Sequence, residues 1–119
     1  MGREERMKII RIAFLSALFF LPINDSFAYY NPGNFSCVAV GQRRDGIWVH
    51  GYATINANAG VYGEFVNPTL QQLCTQALWN CANQFFDKRF GAYACFINQA
   101  TFANAYGVFP QNQFLGGRL

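Results

Sequence analysis

Residues 67–86 read Asn-Pro-Thr-Leu-Gln-Gln-Leu-Cys-Thr-Gln-Ala-Leu-Trp-Asn-Cys-Ala-Asn-Gln-Phe-Phe, and their spacing decides the fold. Asn67-Pro68 has the form of an N-cap followed by proline at the first helical position. From Pro68 to about Phe86 there is no glycine and no further proline. Leu70, Leu73, Cys74, Ala77, Leu78, Cys81 and Phe85 recur at helical spacing and share one face. The stretch predicts one amphipathic helix with two cysteines on its apolar side.

Those cysteines constrain everything around them. Cys74 and Cys81 share a face, but seven residues of helix put their Cα atoms about 10.5 Å apart. A disulfide needs less than about 7 Å, so they cannot pair with each other while the helix stands. The chain has 4 cysteines, and the others are Cys37 and Cys95. Two connectivities remain: 37–74 with 81–95, or 37–81 with 74–95. The first makes the shorter return from the helix end. No C-x2-C pair occurs, and His50 is the single histidine, so neither a metal site nor a cofactor is expected.

Upstream of the helix, Ile47 to Ile55 alternates. Ile47, Val49, Gly51, Ala53 and Ile55 fall on one side, and Trp48, His50, Tyr52 and Thr54 on the other. Phe35 to Gln42 is short, apolar and β-prone. Arg43-Arg44-Asp45-Gly46 lies between them, and Asp-Gly is a strong hairpin signal of type I′. With Asp45-Gly46 as a two-residue loop, Ala39 faces Tyr52 and Cys37 faces Thr54. A helix tied to Cys37 then packs on the side carrying Trp48, His50 and Tyr52. Val61 to Phe65 reads as a third short strand or a linker, and Asp87 to Gly91 as a turn. Ala92 to Phe102 reads as a strand, and Ala105 to Phe109 as a last short strand or an ordered tail. The expectation is an α+β fold: a small, mostly antiparallel sheet packed against one main helix and stapled by disulfides.

The amino terminus reads as an address. Arg3, Arg6, Lys8 and Arg11 form a positive region, and Ile12–Leu21 is an apolar run of about ten residues, the length of a signal core and too short to span a membrane. Pro22 and Asn24-Asp25 break it, and Ser26-Phe27-Ala28 offers small residues for cleavage after Ala28. Met7 is an alternative start. Residues 1–28 are thus expected as a cleaved signal peptide, 29–109 as a single domain and 110–119 as a flexible tail. Removing 28 of 119 residues leaves 91, a size at which covalent staples help a modest core. An even cysteine count in an exported small chain favours disulfides, and the protein is expected to be secreted or periplasmic.

Cys37-Val-Ala-Val40, Gly51-Tyr-Ala-Thr54, Ala77-Leu-x-x-Cys81 and Cys95 ahead of Phe102 carry a resemblance. Over roughly Cys37 to Phe102 the chain resembles a class of small exported bacterial domains of unknown function, with a ββαβ order and an A-L-x-x-C helix. The resemblance implies that fold and carries over no catalytic residue. The loop 56–67 and Cys74 depart from its pattern.

After the cut the chain keeps Arg43, Arg44, Lys88, Arg89 and Arg118 against Asp45, Glu64 and Asp87, a net charge of +2. Two basic pairs are not a basic face, so nucleic acid and anionic membranes are not expected partners. Three acids are a thin supply for hydrolysis. Glu64 and Asp87 flank a helix of about nineteen residues, which separates them by roughly 28 Å, too far for paired-carboxylate chemistry. His50 has Ser36, Thr54 and Asp45 near in sequence, but no G-x-S-x-G signature accompanies it. The cysteines are expected in disulfides, not as nucleophiles. Asn34-Phe-Ser36 is a glycosylation sequon whose use depends on the host.

Aromatic residues are in surplus. A helical projection of 100° per residue puts Trp79 and Phe86 opposite the cysteine face, among Gln72, Thr75 and Asn83. Tryptophan on a polar helix face suggests a contact surface; the alternative is that Tyr106 and Phe109 fold over it. The sequence expectation is a non-enzymatic exported protein that binds another protein or an envelope component, with Trp79 and Phe86 as candidate interface residues and a homo-oligomer as one form of that contact. A carbohydrate- or ligand-binding module using aromatics with Asn and Gln donors is the alternative, and a small hydrolase or redox protein a third.

Overall fold

The computed structural model describes residues 31–119. The signal peptide expected at 1–28 lies outside the described residues. The element order is β1 (Pro32–Gln42), β2 (Trp48–Asn58), α1 (Val66–Ala82), α2 (Lys88–Ala94), β3 (Phe96–Asn104), β4 (Gly107–Pro110) and a 3-10 turn (Asn112–Phe114). The four strands form one antiparallel sheet in the order β2-β1-β3-β4. The fold is α+β, and the main helix covers one sheet face.

Helix α1 buries Leu70, Leu73, Cys74, Ala77, Leu78, Cys81 and Ala82. It begins at Val66, not at Pro68. Phe65 occupies the cap position without a side-chain cap, and Thr69 N–H donates to Phe65 O at 3.1 Å. Pro68, now the third helical residue, is tolerated two positions deeper than expected because N–H groups of the first turn lack intrahelical acceptors anyway. The helix also ends early, at Ala82, and Gln84 and Phe85 continue as tight turns.

Two disulfides fasten the helix. Cys37 pairs with Cys74 at a Cα–Cα distance of 5.2 Å, and Cys81 with Cys95 at 6.2 Å. The first ties α1 to the middle of β1, and the second ties its last turn to the residue before β3. Their loops span 37 and 14 residues, for which chain entropy alone gives about 4 and about 3 kcal/mol of stabilisation.

The hairpin register differs from the expected one by a single residue. Ala39 faces Gly51 and Cys37 faces Ala53. Gly46 has φ +89°, and no non-glycine described residue has positive φ. A type I′ turn needs φ > 0 at Asp45 as well. The chain instead closes a longer loop: Gly46 N–H donates to Arg43 O at 2.9 Å, and Arg43 N–H to Ile47 O at 2.8 Å. One added loop residue exchanges the faces of a paired strand. The helix therefore lies on Val49, Gly51 and Ala53, while Trp48, His50 and Tyr52 point away from it and are exposed. The expectation that a helix tied to Cys37 packs on the side of those three, making them core or core rim, is corrected accordingly.

Gly51 explains how closely the helix approaches. A Cβ there would strike the helix backbone at Ala77 O and Cys81 N. With a hydrogen at this position, the staples and the small side chains Ala39, Ala53 and Ala77 close into a dense core with Phe35 and Leu70. No polar or charged described residue is buried.

Three later segments also differ from expectation. Residues 61–65 form turns and no strand. Asp87 opens a short helix, α2, in place of a plain turn; its Oδ1 accepts from Arg89 and Phe90 N–H at 3.0 and 3.4 Å. β3 consequently starts at Phe96, not Ala92. Residues 110–119, expected as a flexible tail, fold back along β3: Gly116 N–H donates to Ile97 O, and Ile97 N–H to Gly117 O, at 2.8 and 2.9 Å.

Candidate functional site

The candidate site lies where the β1–β2 hairpin tip meets the turn after α1. Arg43, Arg44 and Asp45 come from the tip, and Phe85, Phe86, Asp87 and Phe90 from the turn and the start of α2; together they line a groove of about 260 Å³. Each half has its own local cause. The hairpin tip is tied by Asp45 Oδ1, which accepts the Ile47 N–H at 3.1 Å. The opposite wall is set by Asp87, which caps α2, and by Gly91, which lets that helix touch Ala82 O, where a Cβ would come within 2.6 Å. Phe85 is buried beneath, with its ring edge toward Phe90 at 5.7 Å.

The two arginines each lie over a phenylalanine. Arg43 sits 5.1 Å from the Phe86 ring centre and Arg44 4.3 Å from that of Phe90. This arrangement gains cation–π attraction while leaving the guanidinium edge available for hydrogen bonds. At Arg43 the edge is used: its Nη2 donates to Asp45 Oδ2 at 2.6 Å, with Nε donating to Oδ1 at 3.4 Å. The hydrogen bond from Arg43, joined by that from Ile47 N–H, holds the Asp45 carboxyl below its ordinary range; the same bond raises the Arg43 guanidinium. Arg44 has no carboxylate partner among the described residues.

Phe86 and Trp79, the pair expected to mark an interface, are separated by the end of the helix. Trp79 is half exposed, at 49%, on the uncharged outer face of α1. Phe86 is 93% exposed and stands in the groove wall. The helical projection that aligned them fails because α1 stops at Ala82.

The sheet face away from α1 presents Trp48, His50 and Tyr52 from β2, with the His50 and Tyr52 rings stacked at 6.2 Å. Val40 lies between His50 and Phe96 in the register and is nearly covered, at 7% exposure. The edge of β2 is met by α1 and the turn after it: Asn80 Nδ2 donates to Tyr52 O at 2.9 Å, and Gln84 Nε2 donates to His50 O. These side chains occupy carbonyls that would otherwise invite another strand.

Fold and staples thus define a small α+β domain with two disulfides. No protein-family model matches the chain, and neither a curated protein nor a solved structure does. Among the described residues, no helix is long and apolar enough to cross a membrane, and no three metal-ligating side chains gather.

Sequence reasoning missed Arg43, Arg44 and Phe90. The signal was present in Arg43-Arg44-Asp45 at a hairpin tip and in Phe85-Phe86 with Phe90 four residues on. Their meeting depends on tertiary packing across about forty residues.

Proposed function

We propose that this is an exported, non-enzymatic binding protein that engages another protein or an envelope component through the groove at its hairpin end. The observation that carries the reading is the groove itself: two guanidinium groups lie on phenylalanine rings around an apolar floor, with Phe86 almost fully exposed. Arginine and aromatic residues are the types that dominate binding energy at interfaces. Export is supported by the amino-terminal pattern of charge, apolar run and small-residue site, and by two closed disulfides, which persist in oxidising compartments.

A photo-reactive phenylalanine analogue at position 86, installed in the producing cells, tests this. The expected result is a discrete cross-linked species that is missing when the same group replaces Gln72 on the outer face of α1. Equal labelling from both positions would count against the groove.

A second reading, glycan binding, draws on Trp48 and Tyr52 on the open sheet face, beside uncharged strand residues. Quenching of tryptophan fluorescence by a sugar, abolished by Trp48→Ala, would support it. No response to any sugar would sink it.

A further inference from the structure

We propose that the hairpin-end groove binds the carboxyl-terminal residue of a polypeptide partner, one whose last side chain is large and apolar. The inference deepens the binding reading above and rests on it.

The structure contains its own template for the contact. Arg43 lies over Phe86 and holds the Asp45 carboxylate in its guanidinium fork. Arg44 lies over Phe90 at the shorter distance of 4.3 Å, in the same groove, and no described residue supplies the matching carboxylate. A guanidinium fixed against an aromatic face presents a planar edge that matches a carboxylate in a two-point hydrogen bond. The other groove charges are already engaged. Asp45 is held by Arg43, and Asp87 Oδ1 accepts the Arg89 and Phe90 N–H groups in the first turn of α2. Arg44 is therefore the charge left for a ligand, and the sign it calls for is negative.

The remainder of the groove sets what accompanies the anion. Phe85, Phe86 and Phe90 make its floor and one wall, and such a surface gains by burying an apolar group. A volume of about 260 Å³ falls just below the range of roughly 300–1,000 Å³ typical of sites for drug-sized ligands. It suits one residue better than a strand running through. A chain end supplies a carboxylate and one apolar side chain on the same carbon, which is the combination these walls match.

The test is a titration of the isotope-labelled protein, as recovered from its producing cells, with acetyl-Gly-Gly-Phe bearing a free carboxylate and with its carboxamide. The Arg44 Nε–H signal and the amides of residues 43–47 and 85–90 are followed. The free acid is expected to bind at least about tenfold more tightly than the amide, a difference of about 1.4 kcal/mol. Arg44→Gln should bring the acid down to the level of the amide, and Phe86→Ala should weaken both. Equal binding of acid and amide, with both weakened by Phe86→Ala, overturns the carboxylate assignment and leaves the groove reading standing. Equal binding by an internal Asp-Phe peptide amide overturns the chain-end assignment. No shift with any peptide up to about 10 mM, beyond the millimolar range of weak recognition, overturns the proposal; cross-linking from position 86 then decides separately whether the groove binds a partner of other chemistry.

Discussion

The two sides of β2 are built from alternate residues of one strand, yet they do opposite work. Val49, Gly51 and Ala53 face the helix and make the close packing possible; Trp48, His50 and Tyr52 face away and are exposed. Residue size runs against simple intuition here. The large aromatics stand outside, and a glycine and an alanine sit at the centre. A helix fastened at two points to the sheet needs small residues beneath it. Large apolar residues left outside are then available for contact with something else.

Breaking the staples should have the largest effect. Replacing Cys37 and Cys74 together with serine is expected to cost about 4 kcal/mol, within the range of 2–5 kcal/mol for small exported domains, read as a large fall in Tm. Gly51→Val attacks the same side without touching a disulfide. Its branched side chain meets helix backbone, which cannot rotate away, so about 3 kcal/mol or more is expected. A denaturant midpoint close to the parent value would contradict the register.

Smaller changes separate the two sides further. Asn80→Ala should cost about 1 kcal/mol and expose the Tyr52 carbonyl, so self-association measured by sedimentation should rise as the β2 edge opens. Tyr52→Ser, on the free side, should change stability by no more than about 0.5 kcal/mol. The same substitution would be severe had Tyr52 been core.

The smallest effect is expected from acid. Asp45 titrates below its unfolded value, so its contribution is present above the ordinary carboxylate range and is lost as pH falls through the lower folded value. The Arg43 guanidinium is raised, so its contribution holds at every pH below the arginine range. Amide shifts of Gly46 and Ile47 should therefore move at a pH below the ordinary carboxylate range, with little change in global Tm, because the pair is exposed.

Much of the architecture was legible in the sequence for physical reasons. The apolar stripe of α1 follows helical spacing, and helix rise alone forbids a Cys74–Cys81 bond, leaving two pairings of which the structure shows one. The face assignment of β2 was not legible, because it hangs on one residue of loop length, and Asp45-Gly46 suits two turn types. Helix α2 was hidden by Gly91, a poor helix former that is required where α2 meets the end of α1. The groove was hidden more deeply. Arg44 and Phe90 are neighbours only after the hairpin, the helix and the Cys81–Cys95 bond are all in place.

The central claim is that the hairpin end, not the rest of the aromatic surface, is the part that meets a partner. Hydroxyl-radical footprinting compares side-chain exposure in the native compartment with that of the purified protein. The account predicts protection of Phe86 and Phe90 in the native setting, with Tyr62 and Trp79 labelled alike in both. Equal labelling of Phe86 and Phe90 in the two settings, or protection of Trp79 in their place, would contradict it.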